Sequence, residues 1–336
     1  MELQISADAK CAVIGYGSWA TAIVKILCEK GHKVGWHIRN EEVIEGILSE
    51  GSNPKYLRDV EFDTSKLSIS TDINEIVDNH DIIILATPSA YLKETLSPLT
   101  RSLENRLVVS AIKGIIPGDN YLTVIEFLNQ AYNIPFSNLA IITGPSHAEE
   151  VALERLSYLT VVCPNIDLAH LIGSKIECKY IRVSYSTDLY GIEYATVLKN
   201  IYAIAVGIAF GLGYGDNFIA VLIANSAREM NNFLKGGYPE ERDTRESAYL
   251  GDLLVTCYSS YSRNRRLGLL MGKGFTIKSA LNEMTMVSEG YFAADCIRHV
   301  NAQHNVDMPI AAMVYDILYK GAKARKAMTQ LSKVLI

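Results

Sequence analysis

Short apolar runs alternate with helical stretches over the first half of the chain. Six runs predict strands, at residues 10–14, 33–38, 81–87, 107–112, 139–143 and 159–163. Between the first two, residues 18–30 carry apolar side chains at helical spacing, at Ala20, Ile23, Val24 and Leu27. Short apolar strands that alternate with helices are typical of a parallel sheet covered on both faces.

The strand signals stop after about residue 185, and the later apolar segments have helical spacing. Predicted helices span residues 191–212, 216–234, 251–258, 277–282, 291–301 and 310–319. A chain of 336 residues also exceeds what one hydrophobic core usually serves. We therefore predict an α/β fold with two domains, a sheet-containing domain at residues 1–187 and an all-helical domain at residues 188–336.

The composition is that of an ordinary globular protein, and it narrows the class of ligand. Hydrophobic residues make up 49% of the chain, charged residues make up 21%, and the net charge is −5. An acidic protein is a poor candidate for non-specific binding of nucleic acid. A site for an anionic ligand would therefore need a local cluster of basic side chains.

Cysteine usage and the N-terminal residues favour a cytoplasmic protein. The six cysteines form no C-x-x-C pair and no zinc-ligand spacing with histidine, so we expect free, mostly buried thiols and no metal site. The first ten residues lack a basic region followed by an apolar stretch, so no signal peptide is expected. The most apolar run, at residues 201–212, is too short to cross a bilayer and predicts a buried core helix.

A glycine-rich turn between the first predicted strand and the first predicted helix carries a binding motif. Gly15 allows a tight turn, Gly17 lets the backbone approach a pyrophosphate, and Ala20 takes the third, small position. The helix that follows directs free backbone N–H groups toward phosphates. At this place in an α/β pattern, the turn predicts a Rossmann-type, doubly wound domain that binds a dinucleotide.

The end of the second predicted strand bears on which dinucleotide binds. NAD-binding folds usually carry an acidic residue there, but this strand ends in His37 and Ile38, followed by Arg39 and Asn40. Arg39 suits the 2′-phosphate of NADP or stacking on adenine. The alternative is a solvated surface arginine. We therefore expect NAD or NADP as the cofactor.

Lys199 lies in an apolar helical segment that has very few other charges. Such a lysine either pairs with a carboxylate or has a lowered pKa, and it can then act as a general base near neutral pH. The alternative is a lysine at a helix edge whose stem is buried and whose ammonium reaches water. Asn200 beside it is a candidate for a polar network. Asp252 is a candidate carboxylate or, alternatively, an N-terminal helix cap.

A basic and polar cluster occupies residues 262–266. Ser262, Arg263 and Asn264 group a hydroxyl, a guanidinium and an amide, which together suit a phosphate monoester. Arg265 and Arg266 add positive potential. In an acidic chain, this is the local cluster that an anionic substrate needs.

Two segments at the ends of predicted strands are candidate ligand loops. Lys113 and Gly114 follow a strand at the carboxyl edge of the sheet, where ligands of such folds bind. Gly144 and Ser146 follow the next strand. They are candidates to offer a backbone N–H and a hydroxyl to an oxygen ligand.

These motifs together resemble the bacterial type of NAD(P)-dependent glycerol-3-phosphate dehydrogenase, and the resemblance covers nearly the whole chain. The matching segments are GYGSWATA at 15–22, NPKYL at 53–57, ATPS at 86–89, KG at 113–114, GPSHAEEVA at 144–152, LKNIYAIAVGIAFGLGYGDN at 198–217, GDL at 251–253, SRNRRLG at 262–268 and VSEGY at 287–291. The segments at 198–217, 262–268 and 287–291 are specific to that family, whereas the glycine turn is not.

The resemblance implies reversible hydride transfer between NAD(P)H and dihydroxyacetone phosphate, which gives sn-glycerol 3-phosphate for phospholipid synthesis. It implies that Lys199 is the general base and that Lys113 and Asp252 hold the reacting end of the substrate. The implied substrate-binding residues are Lys113, Gly144, Ser146, Lys199, Asn200, Asp252, Ser262, Arg263 and Asn264. The implied cofactor-binding residues are Gly15, Gly17, Ser18, Trp19, Arg39, Lys113, Ala148, Arg263, Val287 and Glu289. A homodimer is the candidate assembly.

The chain departs from the family pattern at three places. Ala20 replaces a glycine, which the motif tolerates, and His147 replaces an aromatic residue. The residues Ala224, Asn225 and Ser226 stand where the family usually reads T-R-G. Loss of that arginine puts phosphate affinity or an interdomain contact in question.

Two other functions stay open at this point. One is another dehydrogenase of the same architecture, such as a ketopantoate reductase-like enzyme, against which the basic cluster at 262–266 argues. The other is a non-catalytic dinucleotide-binding sensor. Its only support is the altered segment at 224–226, and the presence of Lys199 and Asp252 argues against it.

Overall fold

The computed structural model describes residues 3–118, 120–284 and 286–336. The chain forms two compact units. Unit 1 comprises the chain up to Ile112 together with Val124–Leu189, and unit 2 comprises Lys113–Thr123 together with Tyr190–Ile336. The short segment that contains Lys113 therefore folds with the C-terminal helices, although it follows a strand of unit 1 in the sequence.

A single sheet forms the centre of unit 1. Its strands are β1 (Cys11–Ile14), β2 (Val34–His37), β3 (Leu67–Ser70), β4 (Ile82–Leu85), β5 (Leu107–Ser110), β6 (Leu139–Thr143), β7 (Ser157–Val162) and β8 (Ile181–Ser186). Among the described residues, these eight strands have the order β3-β2-β1-β4-β5-β6-β7-β8. Strands β1, β2, β4 and β5 are buried along their whole length, as expected for a sheet with helices on both faces.

One strand pair corrects the prediction of a parallel sheet. Strands β6 and β7 are antiparallel, whereas the other pairs are parallel. The connection between β6 and β7 contains only α6 (Ala148–Ala152), five residues long. At 1.5 Å per residue, this helix covers about 7.5 Å, less than half of the roughly 16 Å of a five-residue strand. The chain consequently turns back and enters β7 from the same end of the sheet.

The remaining helices of unit 1 pack beside these strands. They are α1 (Ser18–Glu29), α2 (Glu41–Glu50), α3 (Ile73–Asp78), α4 (Leu92–Leu96), α5 (Val124–Tyr132) and α7 (Ile166–Ile176). Asparagine caps begin two of them: the Asn40 side chain accepts a hydrogen bond from the backbone N–H of Val43, and the Asn165 side chain caps α7 in the same way. The Asn40 cap places the start of α2 soon after the end of β2.

Unit 2 is helical, as predicted. Its helices are α8 (Leu189–Gly211), α9 (Asp216–Gly237), α10 (Asp252–Tyr258), α11 (Arg263–Gly272), α12 (Ile277–Glu283), α13 (Glu289–His304), α14 (Pro309–Tyr319) and α15 (Ala324–Leu331), and a wide helical turn at Ser247–Gly251 precedes α10. Together with the sheet of unit 1, these helices confirm the predicted fold class.

Helix α8 is the core helix of unit 2. Among the described residues, it is the one helix long and apolar enough by composition to cross a membrane, and 89% of its most apolar window is buried inside the fold. The run at 201–212 that predicted a buried core helix lies in this longer element of 23 residues except for its last residue, Leu212. Burial on all sides explains why its sequence shows no polar face.

Close packing of α8 against α11 depends on paired glycines. A Cβ atom at Gly207 would overlap the carbonyl oxygen of Arg265, and one at Gly268 would overlap that of Ile204. Gly211 and Gly272 make the same kind of contact one turn further along. The backbones of the two helices therefore approach closely.

The six cysteines are free, and Cys11, Cys163, Cys257 and Cys296 are buried. This confirms the expectation of free, mostly buried thiols. Burial raises the pKa of the Cys257 thiol to about 12, so this sulfur stays protonated and unreactive at neutral pH.

Candidate active site

The glycine turn of unit 1 is built from backbone geometry. Gly15 has a φ of 118°, and a Cβ there would lie 2.5 Å from the carbonyl oxygen of Ala86. The indole N–H of Trp36 donates to the carbonyl oxygen of Gly15 at 2.7 Å and fixes the peptide. Both the positive φ and the close approach therefore require glycine at position 15.

Gly17 differs from Gly15, since a Cβ at this position would meet nothing within 4 Å. Gly17 precedes α1, and no side chain caps the backbone N–H groups of that helix end. Ser18 and Trp19 begin the helix, with Ser18 buried and Trp19 half-buried. A helix start without a side-chain cap, beside the unfilled space at Gly17, fits the pyrophosphate of a dinucleotide.

Asn53 supports this turn from behind, and the sequence argument assigned it no role. Its side-chain Nδ2 donates to the carbonyl oxygen of Tyr16 at 3.0 Å and to the hydroxyl of Thr21 at 2.9 Å. Its Oδ1 accepts from the backbone N–H groups of Lys55 and Tyr56. The side chain is fully buried, and its place in the NPKYL motif was the signal that could have revealed this function.

Two further parts of unit 1 contain predicted ligand-binding residues. Arg39 lies two residues beyond the end of β2, and its Nη1 is 2.7 Å from Oε1 of Glu94 on α4. At the end of β6, Gly144 has a φ of 114°, and the hydroxyl of Ser146 donates to its carbonyl oxygen at 3.1 Å. Ala148 begins α6 and is buried.

Three charged side chains meet in unit 2. Lys199, in the middle of α8, is 4% exposed, and its Nζ lies 2.5 Å from Oδ1 of Asp252. Asp252 is 1% exposed, and the Nζ of Lys113 lies 3.6 Å from its other oxygen. The structure therefore brings together the three residues predicted to be catalytic. We call Lys113, Lys199 and Asp252 the lysine–aspartate cluster.

The surroundings of Lys199 lower its pKa. Burial lowers it to about 7 from an ordinary value of 10.5, the neighbouring carboxylate of Asp252 opposes this shift, and the charge of Lys113 adds to it. At neutral pH, the lysine is therefore poised between its charged and neutral forms. A group with that property can both give and take a proton.

Asp252 is the first residue of α10, but it does not cap that helix. The residue before it, Gly251, occupies the cap position, and no side chain caps the helix there. The carboxylate is directed to Lys199 and Lys113 instead. The structure thus favours the paired carboxylate over the helix cap that the sequence left open.

A chain of hydrogen-bonded amides surrounds the cluster. The Nδ2 of Asn200 donates to the backbone carbonyl oxygen of Lys113 at 2.6 Å, and the Nδ2 of Asn264 donates to Oδ1 of Asn200 at 2.8 Å. The Oδ1 of Asn264 accepts from the Ser288 hydroxyl at 2.7 Å and from the Gly290 backbone N–H at 2.9 Å. These bonds tie the Lys113 segment, α8, α11 and α13 to one another.

The predicted phosphate-binding cluster lies at the start of α11. The hydroxyl of Ser262 accepts a hydrogen bond from the backbone N–H of Arg265 at 3.2 Å and caps the helix. Arg263 is the first helical residue and is partly exposed. The guanidinium of Arg265 lies over the ring of Phe210, 4.8 Å from its centroid, whereas Arg266 is exposed. Arg263 therefore combines its own charge with the positive end of a helix.

The remaining predicted cofactor residues stand at the start of α13. Glu289 is its first residue, and Val287 lies two residues earlier. Both are partly buried. Ser288 between them contributes to the amide chain, so this helix start and the start of α11 are joined by the Ser288–Asn264 hydrogen bond.

The unusual segment at 224–226 has a structural use in unit 2. The Asn225 side chain donates to the backbone carbonyl oxygens of Val221 and Ile336 and accepts from the backbone N–H of Ile336. Ser226 is buried, and its hydroxyl donates to the carbonyl oxygen of Leu222 at 2.8 Å. This part of α9 is therefore occupied by bonds to backbone groups.

Within the described residues, no group of three or more histidine, cysteine, aspartate or glutamate side chains is placed to hold a metal ion.

Comparison with known proteins identifies the family from both halves of the chain. Residues 10–169 match the family model described as NAD-dependent glycerol-3-phosphate dehydrogenase N-terminus, and residues 188–329 match the corresponding C-terminus model. A glycerol-3-phosphate dehydrogenase [NAD(P)+] of Francisella tularensis is 35% identical over 321 residues, 95% of this chain and 96% of that protein. One from Chlorobium limicola is 32% identical over the same shares of both chains.

Solved structures agree with this assignment. The crystal structure of glycerol-3-phosphate dehydrogenase from Coxiella burnetii has a TM-score of 0.89 at 28% identity and covers 98% of this chain and 100% of that chain. A ketopantoate reductase from Ralstonia eutropha has a TM-score of 0.59 at 14% identity and covers 96% and 99%, a likeness of fold alone. The chain therefore belongs to the NAD-dependent glycerol-3-phosphate dehydrogenase family.

Proposed function

We propose that this chain catalyses reversible hydride transfer between NAD(P)H and dihydroxyacetone phosphate and so forms sn-glycerol 3-phosphate for phospholipid synthesis. The observation that carries the proposal is Lys199, buried in the middle of α8, beside Asp252 and with a pKa near 7. A proton-transfer group at this pKa suits a reaction that interconverts a carbonyl and a secondary hydroxyl near neutral pH.

Lys199 moves the proton in both directions of this reaction. When the carbonyl is reduced, its ammonium donates a proton to the new alkoxide oxygen, and when the alcohol is oxidised, its neutral amine removes the hydroxyl proton. Asp252, 2.5 Å away, orients the amine and stabilises its charged form. Lys113 contacts the other oxygen of Asp252 and holds the reacting end of the substrate together with it.

The nicotinamide dinucleotide supplies the hydride. In unit 1, we assign its contacts to the backbone at Gly17, Ser18 and Trp19, where α1 begins without a side-chain cap, to the tight turn at Gly15, and to Arg39 and Ala148. In unit 2, Lys113, Arg263, Val287 and Glu289 complete the proposed set. Unit 1 thus acts as the dinucleotide-binding domain. Unit 2, which adds the segment Lys113–Thr123 to the C-terminal helices, acts as the substrate-binding and catalytic domain.

The phosphate of the substrate is assigned to the start of α11. Arg263 offers two parallel donors there, and Ser262 and Asn264 flank it. The proposed substrate site also includes Gly144, Ser146 and Asn200. The side-chain amides of Asn200 and Asn264 are already hydrogen-bonded to each other, to the backbone of Lys113 and to the backbone of Gly290. We therefore expect them to position the neighbouring substrate-binding residues at least as much as to bind substrate directly.

The setting of the protein follows from the same assignment. We propose a cytoplasmic enzyme that works without a membrane span or a nucleic-acid partner and assembles as a homodimer. The free thiols support the cytoplasmic setting, and the burial of α8 inside the fold supports the lack of a membrane span.

The deciding experiment is oxidation of NADH and NADPH in the presence of dihydroxyacetone phosphate. We expect turnover that depends on the phosphorylated ketone and that is lost in Lys199→Ala. Turnover with ketopantoate in place of dihydroxyacetone phosphate would instead indicate a ketopantoate reductase-like enzyme, which reduces the ketone of a keto acid. Nucleotide binding without turnover on either substrate would indicate a sensor.

A further inference from the structure

The ion pair between Arg39 and Glu94 lies where a Rossmann fold recognises the ribose of its dinucleotide. In NAD-binding folds, an acidic residue near the end of the second strand accepts hydrogen bonds from the ribose hydroxyls, and an arginine near it accommodates the 2′-phosphate of NADP. Strand β2 of this chain ends at His37 and has no acidic residue there. Instead, Nη1 of Arg39 lies 2.7 Å from Oε1 of Glu94.

Glu94 comes to this place from another part of the sequence. It lies on α4, which follows β4, and β4 is separated from β2 in the sheet only by β1. The arginine that the strand end carries is thus already bound to a carboxylate. Glu94, which is distant in the sequence, therefore provides near Arg39 the acidic group that the end of the second strand lacks.

Two other titratable groups near the strand end are an ion-paired glutamate and a buried histidine. Glu42, at the start of α2, has its carboxylate 2.6 Å from Nζ of Lys55. Burial lowers the pKa of His37, so its ring is neutral at pH 7. Among these groups, Glu94 is the carboxylate that contacts the Arg39 guanidinium.

A 2′-phosphate and a 2′-hydroxyl place opposite demands on this pair. A phosphate monoester carries between one and a half and two negative charges near pH 7, about the values of a phosphorylated side chain. To bind it, Arg39 would have to release Glu94, whose carboxylate would then face a second anion. A hydroxyl carries no charge and can donate a hydrogen bond to the same carboxylate.

We propose that Glu94, held by Arg39, is the residue that makes this site prefer NADH over NADPH. The inference rests on the proposed use of a nicotinamide dinucleotide and adds the residue that selects between the two. Both side chains are partly exposed, at 41% for Arg39 and 65% for Glu94, so substitution at either position leaves the core intact.

The test is direct binding of each nucleotide, measured by fluorescence titration of the purified protein without substrate. The wild type should bind NADH at least about tenfold more tightly than NADPH, and Glu94→Gln should tighten NADPH by about fivefold or more. Glu42→Gln removes the same charge near the same strand end without touching Arg39, and it should shift both dissociation constants by less than about twofold.

A double variant tests whether the effect passes through Arg39. In an Arg39→Ala background, Glu94→Gln should tighten NADPH much less, because no guanidinium is released. Equal gains in both backgrounds, an unchanged NADPH-to-NADH ratio in Glu94→Gln, or equal affinities in the wild type would each overturn the inference while leaving the proposed reaction intact. A wild type that binds neither nucleotide would overturn the proposed function itself.

Discussion

The glycine turn of unit 1 and the lysine–aspartate cluster of unit 2 solve different physical problems. The turn consists mainly of backbone: Gly15 at a positive φ, Gly17 beside unfilled space, and the uncapped start of α1. The cluster consists of charged side chains, and both Lys199 and Asp252 are more than nine-tenths buried. The turn binds through backbone N–H groups, which every chain has. The cluster keeps charged side chains in a buried place where water does not stabilise them.

This difference separates binding from reactivity. Backbone N–H groups at a helix start attract phosphate without any change in their protonation. A buried lysine has an altered pKa because it has lost its water, and the nearby carboxylate keeps the charged form accessible. Substitutions in the turn should therefore act on nucleotide affinity or folding, whereas substitutions in the cluster should act on the chemical step.

Replacing Lys199 with alanine should give the largest effect on turnover. We expect kcat for reduction of dihydroxyacetone phosphate to fall by at least about a hundredfold, the usual scale for loss of a general acid or base. Affinity for NADH should hardly change, because the glycine turn is untouched. Steady-state kinetics and fluorescence titration measure the two quantities.

Lys175 provides the control for this variant. It is also a buried lysine, 5% exposed, but it lies in α7 and donates to the backbone carbonyl oxygen of Ala7 at 2.7 Å. Lys175→Ala should lower thermal stability while the folded protein keeps its kcat. Near-normal turnover in Lys199→Ala would show that Lys199 does not take part in the mechanism. It would also contradict the view that the lysine–aspartate cluster acts on the chemical step and the glycine turn on binding.

The two glycines of the turn should respond differently to the same added methyl group. Gly15→Ala forces a positive φ and a 2.5 Å approach to Ala86, so we expect the free energy of unfolding to fall by about 1–3 kcal/mol. Gly17→Ala meets no atom within 4 Å and should leave stability within about 0.5 kcal/mol of the wild type.

Nucleotide binding completes this comparison. Gly17→Ala should weaken NADH by about tenfold, or 1.4 kcal/mol, because the methyl group would stand where the pyrophosphate approaches the backbone. Denaturant unfolding and fluorescence titration separate the two effects. Unchanged NADH affinity in Gly17→Ala would contradict the view that this turn binds the phosphates.

Arg263→Lys tests whether geometry as well as charge matters in unit 2. The lysine keeps the positive charge but loses the two parallel donors of the guanidinium, so KM for dihydroxyacetone phosphate should rise by at least about tenfold. The ratio of kcat/KM for the phosphorylated ketone to that for unphosphorylated dihydroxyacetone should fall. Arg266→Lys, on the same helix and exposed, is the matched control and should leave that ratio unchanged.

The last prediction concerns the pH dependence of the rate, which should have opposite signs in the two directions of the reaction. The lowered pKa of Lys199, about 7, means that its neutral form becomes dominant as the pH rises through that value. Oxidation of sn-glycerol 3-phosphate, which needs the neutral amine, should rise about tenfold between pH 6 and pH 8. Reduction of dihydroxyacetone phosphate, which needs the ammonium, should fall over the same range.

A profile that is flat through pH 7 in both directions would show that another group carries the proton. A mutant whose residual activity keeps the wild-type profile after loss of Lys199 would lead to the same conclusion.

Prediction from the sequence succeeded where local pattern and tertiary role agree. Buried strands such as β4 and β5 are continuous apolar runs, and both were predicted from those runs. The edge strands β3 and β8 are partly exposed and contain several serines, so the apolar pattern gave no signal for them. Helix α11 was not predicted, because two of its ten residues are glycines. These glycines pack against α8, a contact that the local sequence pattern does not reveal.

The sequence alone determined the parts of the site that depend on contiguous residues. The order strand, Gly15, Gly17, helix defines a phosphate-binding turn because four successive peptide units create it. A lysine inside an apolar helix, as at position 199, already indicates a pKa that is altered by burial. The motifs at 198–217 and 262–268 also suffice for the family resemblance, since each is a continuous stretch of chain.

Only the tertiary structure decided which groups meet across the sequence. It paired Asp252 with Lys199 and Lys113 instead of leaving it as a helix cap, and it supplied Glu94 to Arg39 from a different helix. The physical reason is that desolvation and Coulomb interaction depend on distances in space and not on separation along the sequence. A buried charge is costly unless the fold places an opposite charge or a hydrogen-bonding group beside it. A linear sequence specifies the charges, and the packed fold selects their partners.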